Sequence, residues 1–211
     1  MNQLLILGAG GHGKVMAEAA EAKGVWNKIA LLDDRFAILD GSLRWPVLAK
    51  IDKAERFVSE YSHAIVAIGD FRKRLEWLDM LSSLGFRIPT LIHPTAWVSP
   101  SASLAEGCVV MANATVQADA RLGRGCIVNT GASVDHDCQI GDGVHICPGV
   151  SLGGDVSVGH GSWLGIGCSV IQGVHIGGHV TVGAGAAVIR DISDCLTVVG
   201  VPARGVSGGM E

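Results

Sequence analysis

The sequence predicts two domains of different class, an α/β domain over residues 1–93 and an all-β parallel β-helix over residues 94–211. Two observations support this prediction. The chain opens with an apolar strand, a glycine-rich turn and a helical stretch, and from Val98 to Val188 every sixth residue is aliphatic. An α-helix or a flat sheet has no period of six, whereas a triangular solenoid with one inward side chain per face does.

The period-six segment is unbroken over sixteen positions, and the residue two before each aliphatic is usually small or β-branched. Three hexads form one coil of about 18 residues, so the segment predicts roughly five coils stacked about 4.8 Å apart. Four of the six cysteines occupy the small inward position, where a thiol packs as a hydrophobic group. The aliphatic positions are Val98, Leu104, Val110, Val116, Leu122, Val128, Val134, Ile140, Ile146, Leu152, Val158, Leu164, Val170, Ile176, Val182 and Val188.

Strands and helices alternate before the solenoid. Apolar runs predict strands over residues 3–7, 28–32 and 63–68, with a last short strand reaching His93-Pro94. Helices are expected from about Lys14 to Gly24, and along a leucine stripe that ends at Gly85. This alternation predicts a small parallel sheet with ligands at the carboxyl ends of its strands.

The first strand leads into a glycine turn, Gly8-x-Gly10-x-x-Gly13, which is typical of a Rossmann-like nucleotide site when a helix follows it. Glycines let a backbone approach phosphates, and the helix N-terminus attracts their charge. Asp33 follows about 20 residues later, where a carboxylate reaches a ribose or a base. An NAD-dependent oxidoreductase is disfavoured because fewer than 100 residues precede the solenoid, which leaves room for only one mononucleotide half. A tight turn without a ligand is the remaining alternative.

Composition limits the partners of the chain. A net charge of -4 gives no basic surface for nucleic acid. No window approaches the roughly 18 apolar residues of a membrane span, and the N-terminus lacks a basic signal-peptide region. We therefore expect a soluble cytoplasmic protein with neither nucleic-acid nor membrane partners.

His136 stands out among the eight histidines because Asp135 and Asp137 flank it. It lies two residues after an inward aliphatic, so we expect it to face outward near a coil corner. Neighbouring carboxylates raise the pKa of an imidazole, which suits a general base. The alternative is a solvated surface histidine.

A zinc site, as in the carbonic anhydrases with this architecture, is the other use of solenoid histidines. Ligands on one edge are separated by close to a whole number of coils, and only His160 and His179 approach this spacing. A third ligand is not assembled, so no metal is expected.

Five segments together resemble the nucleotide-sugar N-acetyltransferases of the bacillosamine and perosamine type, which are hexapeptide acyltransferases. Sialic-acid O-acetyltransferases share this layout. The segments span nearly the whole chain: Gly8-Ala9-Gly10-Gly11-His12-Gly13, Leu32-Asp33-Asp34, Ala67-Ile68-Gly69, Ala132-Ser133-Val134-Asp135-His136-Asp137-Cys138 and Gly200-Val201-Pro202-Ala203.

The resemblance implies a left-handed β-helix, a homotrimer and acetyl-CoA as cosubstrate, bound between adjacent solenoids. It assigns the catalytic base to His136. Asp137 takes the place of a glutamate that supports the base in the family, and Asp135 shares that role in an alternative reading. The resemblance also implies a nucleotide-sugar site at Gly10, Gly11, His12, Asp33, Asp34 and Gly69, and an acetyl-CoA groove at His145, Ile166 and Ala184.

The function implied is direct acetyl transfer to the amine of a nucleotide-linked 4-amino-deoxy sugar. O-acetylation of a sialic-acid-like sugar and a non-enzymatic nucleotide-sugar-binding solenoid remain as alternatives. The segment after Val188 also has two interpretations. Arg204, beside the Gly-x-Pro turn, covers a phosphate-bearing ligand, or the segment caps the open edge of the last coil.

Overall fold

The computed structural model describes residues 2–39 and 41–206. The chain divides into two compact units between Pro94 and Thr95. Within the described residues, no helix combines the length and apolar character needed to cross a membrane.

The first unit contains a four-stranded parallel sheet in the order β3-β2-β1-β4. Leu5, Ile6, Ala30 and Ile65 are fully buried in this sheet. Its elements are β1 (Gln3–Leu7), α1 (Gly11–Lys23), β2 (Lys28–Leu32), α2 (Phe36–Leu39), β3 (Val47–Ala49), a 3₁₀ helix (Ile51–Phe57), β4 (His63–Val66), α3 (Phe71–Ser83) and β5 (Leu91–Ile92). The parallel sheet predicted from the alternation of strands and helices is confirmed.

Local boundaries differ from the prediction in ways that local chemistry explains. The helix expected from Lys14 begins at Gly11, directly after the turn, and Gly24 ends it with a left-handed φ of 68°. The strand expected to reach Ile68 stops at Val66, because Asp70 starts α3 by accepting a hydrogen bond from the Lys73 N–H. Strand β3, α2 and the 3₁₀ helix were not predicted, since each is too short to show a period.

The second unit is a solenoid with three faces, each a parallel stack of strands from successive coils. Face 1 contains Trp97–Val98, Thr115–Val116, Ser133–Val134, Ser151–Leu152, Ser169–Val170 and Ala187–Val188. Face 2 contains Ser103–Leu104, Arg121–Leu122, Gln139–Ile140, Ser157–Val158 and His175–Ile176. Face 3 contains Val109–Val110, Ile127–Val128, His145–Ile146, Trp163–Leu164, Thr181–Val182 and Thr197–Val199. The hexapeptide-repeat fold is therefore confirmed.

The repeat aliphatics form the core of the solenoid. All sixteen are buried except Val98 and Leu104 of the first coil, which are half-buried. Cys108, Cys126 and Cys138 fill the small inward positions, and their Sγ atoms lie 3.0–3.3 Å from the carbonyl oxygens of glycines 15 residues later. Stacked hydrophobic contacts and ladder hydrogen bonds thus stabilise each coil through its neighbours.

Each coil corner contains a residue with left-handed backbone, three positions after the inward aliphatic. From residue 107 to residue 185 this conformation recurs at every sixth position, with φ between 56° and 73°. Glycine, asparagine and aspartate tolerate it best, and they occupy all of these positions except His179. The corner residue is thus a second periodic signal, which was not used in the prediction.

The segment after face 1 folds back onto the last coil. Thr197–Val199 pairs in parallel with Thr181–Val182 and in antiparallel with Arg204–Gly205. Arg204 is exposed and donates to the carbonyl of Ala203. These contacts favour the capping interpretation of this segment, because its backbone occupies the ladder groups of the last coil.

Candidate functional site

His136 and Asp137 form a pair at the corner between faces 1 and 2. His136 Nδ1 lies 2.8 Å from Asp137 Oδ2, and both side chains are 59% exposed. A carboxylate only accepts, so Nδ1 carries the proton and Nε2 is the basic nitrogen. The Asp135 carboxylate accepts from the His136 backbone N–H at 2.8 Å and so fixes the corner.

The acidic surroundings raise the pKa of His136 above its ordinary value. The hydrogen bond to Asp137 is the largest cause, and the charges of Asp135, Asp137 and Asp155 add to it. The sequence left open which aspartate supports the imidazole. The structure brings Asp137 to the ring and Asp135 to the backbone.

The left-handed corner explains why an aspartate reaches the ring. Asp137 has a φ of 61°, and its neighbours on the same edge, Asp119 and Asp155, have 59° and 58°. Aspartate is among the few non-glycine residues that tolerate this conformation. The backbone geometry thus turns a short side chain toward Nδ1.

Gly154 lies against the imidazole, in the coil that follows His136. A Cβ atom at this glycine would overlap His136 Nε2 and stand 2.5 Å from Cε1. Any side chain here would displace the ring from its contact with Asp137. Gly154 lies one coil after His136, at the equivalent position of the repeat. This spacing was not used in the prediction from sequence, so Gly154 was not identified as part of the site.

A groove of about 380 Å³ runs along face 3 and the corner that leads from it to face 1. It includes all three residues expected to contact acetyl-CoA, His145, Ile166 and Ala184. Ile166 is 61% exposed and Ala184 is exposed. The Gly185 N–H donates to the Ile166 carbonyl at 2.8 Å. This ladder hydrogen bond places Ala184 one coil above Ile166, as expected.

An aromatic pair forms one wall of the groove. The rings of His145 and Trp163 have centroids 4.2 Å apart, and Trp163 is 40% exposed. Asn129 Nδ2 lies 3.2 Å from His145 Nε2 and holds the orientation of the imidazole. Trp163 and Asn129 were not predicted from the sequence, although Trp163 pairs with His145 at the same place in the next coil.

Cys147 also lines the groove, but it is buried. Burial raises the pKa of its thiol to about 11, so the thiolate is scarce near neutral pH. A scarce thiolate makes Cys147 a poor acyl acceptor, and direct transfer needs none.

The imidazole and the groove lie on different edges of one prism. His136 is at the corner from face 1 to face 2, whereas Ile166 and Ala184 are at the corner from face 3 to face 1. Face 1 separates them. A site that uses both therefore needs the edges of two solenoids to meet.

The glycine turn of the first unit is closely packed. Gly8 has a φ of 105°, and a Cβ on Gly13 would overlap the Gly8 carbonyl oxygen. Helix α1 begins without a side-chain cap and without an acidic residue in its first turn. Because α1 follows directly after β1, the positive end of its dipole lies at the carboxyl edge of the sheet, as a phosphate site requires.

The two aspartates after β2 are in different environments. Asp33 is buried, and its oxygens accept from the Ala9 N–H at 2.9 Å and from Arg35 Nε at 2.9 Å. The hydrogen bond from Arg35 lowers the pKa of Asp33 to about 2. Asp34 is exposed, and its Oδ1 lies 3.4 Å from the Ile51 N–H. Asp33 thus anchors the turn, whereas Asp34 presents its carboxylate at the surface.

His12 and Gly69 complete the predicted nucleotide-sugar set. Both are half-buried, and Gly10 and Gly11 precede His12 at the start of α1. Burial, together with the positive charge of Arg74, lowers the pKa of His12 to about 4. His12 is therefore neutral near pH 7.

The two histidines considered as zinc ligands contact each other. The ring centroids of His160 and His179 are 4.5 Å apart in a T-shaped arrangement. Across residues 2–39 and 41–206, no three histidine, cysteine or acidic side chains are grouped to hold a metal ion.

Two families match this chain. The PglD N-terminal domain matches residues 3–81, and the bacterial transferase hexapeptide family (six repeats) matches residues 119–154. The UDP-N-acetylbacillosamine N-acetyltransferase of Bacillus subtilis (strain 168) is 43% identical over 115 residues. That match covers 53% of this chain and 52%, about half, of the curated relative's length.

Two solved structures are similar along almost the whole chain. The acetyltransferase domain of PglB from Neisseria gonorrhoeae FA1090, in complex with acetyl coenzyme A, is 44% identical with a TM-score of 0.93, over 98% of this chain and 100% of that one. PerB from Caulobacter crescentus, in complex with CoA and GDP-perosamine, is 40% identical with a TM-score of 0.92, over 98% of each chain. The chain therefore belongs to the family of hexapeptide-repeat sugar N-acetyltransferases with a PglD-type N-terminal domain.

Proposed function

We propose that this protein transfers an acetyl group from acetyl-CoA to the amine of a nucleotide-linked 4-amino-deoxy sugar, with His136 as general base. One observation carries the proposal above all others. The imidazole is exposed and its Nδ1 lies 2.8 Å from Asp137 Oδ2, so Nε2 is the basic nitrogen. The relatives with bound acetyl-CoA, and with CoA and GDP-perosamine, support the choice of substrates.

The transfer needs one proton acceptor and no covalent enzyme intermediate. The neutral amine attacks the thioester carbonyl, and His136 Nε2 takes the proton that the nitrogen loses. The tetrahedral intermediate then expels the CoA thiolate, which takes the proton held by His136 and leaves as the thiol, so that the base is regenerated. A backbone N–H holds the oxyanion, as is general for acyl transfer.

Acetyl-CoA lies along face 3 in this proposal, with His145, Ile166 and Ala184 as contacts. The solenoid is left-handed, and three copies form a trimer in which the His136 edge of one prism meets the groove edge of the next. The separation of these edges by face 1 supports the trimer, because C3 symmetry repeats the same contact three times.

The nucleotide sugar occupies the carboxyl edge of the sheet in the first unit. Gly10 and Gly11 let the diphosphate approach the start of α1, and neutral His12 and Gly69 lie beside it. Asp34 offers its exposed carboxylate to the nucleotide, while Asp33 acts indirectly by holding the turn.

Replacing Asp137 with asparagine tests the role of the carboxylate. Asn tolerates the left-handed corner, so D137N removes the charge without straining the backbone. We expect the pKa of His136 to fall toward its ordinary value, because its main cause of elevation is lost. The acidic limb of the kcat/KM profile then moves to lower pH, and the high-pH plateau falls because the base is weaker.

The matched control for this variant is Asp119→Asn, one coil away on the same edge with nearly the same φ. D119N is expected to keep the wild-type pH profile. A D137N limb that stays at the wild-type pH would show that Asp137 does not set the basicity of His136.

An assay of thiol release from acetyl-CoA tests the function itself. The panel contains UDP-, GDP- and dTDP-linked 4-amino sugars, the matching 4-hydroxy sugars and free sialic acid. We expect release with at least one nucleotide 4-amino sugar, at a rate well above that with the hydroxy sugars. Release with sialic acid alone would instead show an O-acetyltransferase. If none of the acceptors gives thiol release although a nucleotide sugar binds, the protein is a binding protein and not an enzyme.

A further inference from the structure

A buried arginine lies beside the proposed nucleotide-sugar site. Arg74, in α3, is only 1% exposed, although the neighbouring Arg72 and Lys73 are exposed. Its Nη1 donates to the carbonyl oxygens of Ile68 and Gly69, both at 2.7 Å. Burying a guanidinium is costly, and an apolar side chain would pack at lower cost, so a stability role alone does not account for Arg74.

The two carbonyls belong to the segment that links β4 to α3. This segment borders the glycine turn, because the Ala67 N–H donates to the Leu7 carbonyl at 2.7 Å. A Cβ on Gly8 would stand 2.9 Å from the Ala67 carbonyl oxygen, so the two turns lie in close contact. By binding Ile68 and Gly69, Arg74 fixes one wall of the site and the glycine turn forms the other.

Arg74 also acts on His12 across the site. Its positive charge adds to burial in lowering the pKa of His12 to about 4. The histidine is therefore a neutral hydrogen-bonding group, and the positive charge in this region is carried by a guanidinium that solvent does not reach. A cation in a low-dielectric environment is weakly screened, so its attraction for an anion is strong.

We propose that Arg74 is a positioning residue for the nucleotide diphosphate: it holds the Gly69 turn through two carbonyls and supplies buried positive charge beneath the phosphate groups. This inference rests on the proposed function of the same site. It does not require Arg74 to touch the substrate, because the guanidinium acts through the backbone of Ile68 and Gly69 and through its field.

The test compares Arg74→Gln with Arg72→Gln, an exposed arginine on the same helix. Calorimetry gives the Kd values of UDP, GDP and CoA, and NMR titration gives the pKa of His12. For R74Q we expect the Kd of the preferred nucleotide to rise about tenfold or more, and the pKa of His12 to rise. The Kd of CoA is expected to stay constant. R72Q is expected to match wild type in all measurements.

A folded R74Q protein with wild-type nucleotide Kd would overturn the inference. If R74Q does not fold, Arg74→Lys takes its place, since it keeps the charge while losing the planar geometry. R74K is expected to keep the pKa of His12 low and to weaken nucleotide binding about threefold or more; unchanged binding would overturn the inference.

Nucleotide binding is measured without acetyl transfer. Failure of the thiol-release assay is therefore a separate outcome from failure of this test. In kinetics, a positioning role raises the KM of the nucleotide sugar and leaves the KM of acetyl-CoA unchanged.

Discussion

His136→Ala is expected to lower kcat about 100-fold or more, because the amine then loses its proton to water instead of to a positioned imidazole. The side chain is exposed and its ring contributes no inward packing, so the solenoid and its oligomeric state are expected to persist. Steady-state thiol release gives kcat, and size-exclusion chromatography with light scattering gives the mass of the assembly.

The control for H136A is His175→Ala. His175 is another exposed solenoid histidine, with Nδ1 2.6 Å from Ser157 Oγ on face 2. H175A is expected to retain wild-type turnover. Near-normal turnover in H136A, with the assembly intact, would show that His136 is not the general base.

Two inactive variants are expected to regain activity when they are mixed within the proposed trimer. H136A lacks the proposed base but keeps the groove. Ala184→Trp keeps the base and fills the groove, since Ala184 is exposed along its lining. If each site combines the base of one subunit with the groove of the next, every mixed trimer contains one site in which both parts are intact.

Co-expression with two different affinity tags, followed by tandem purification, isolates the mixed assemblies for the thiol assay. Each variant alone supplies the baseline. Wild type mixed with the double variant H136A/A184W is the control for the dilution of active chains. The double variant supplies neither an intact base nor an intact groove, so activity in this mixture comes only from wild-type chains. Mixed assemblies of the two single variants that stay at the baseline would place base and groove within one subunit.

The solenoid was predictable because its information is periodic. A coil contacts only its neighbours, so one inward aliphatic at every sixth position determines faces, stacking and core without long-range inference. The same periodicity relates Ile166 to Ala184, which line one groove as expected. Position 137 was recognised as acidic, whereas the left-handed corner that aims its carboxylate came only from the structure.

The first unit was less predictable because its contacts connect distant parts of the chain. Strand β3 has three residues and no measurable period, although it completes the sheet next to β2. Arg74 follows no hydrophobic pattern, and its partners are backbone carbonyls that no sequence motif marks. For Asp33 the sequence indicated a ligand contact, which stays a prediction; its burial and the hydrogen bond from the Ala9 N–H, which brace the glycine turn, came only from the structure.

The fixed length of a coil limits how the length of this chain can change during evolution. The deletion of one hexad between His136 and His145 would rotate every later residue by one face, so that the groove would leave its edge while the core pattern stayed intact. Such a protein would fold and be inactive. Related proteins are therefore expected to differ by whole coils within the repeat. Other insertions are expected at the corners, where a loop leaves each later residue on the same face.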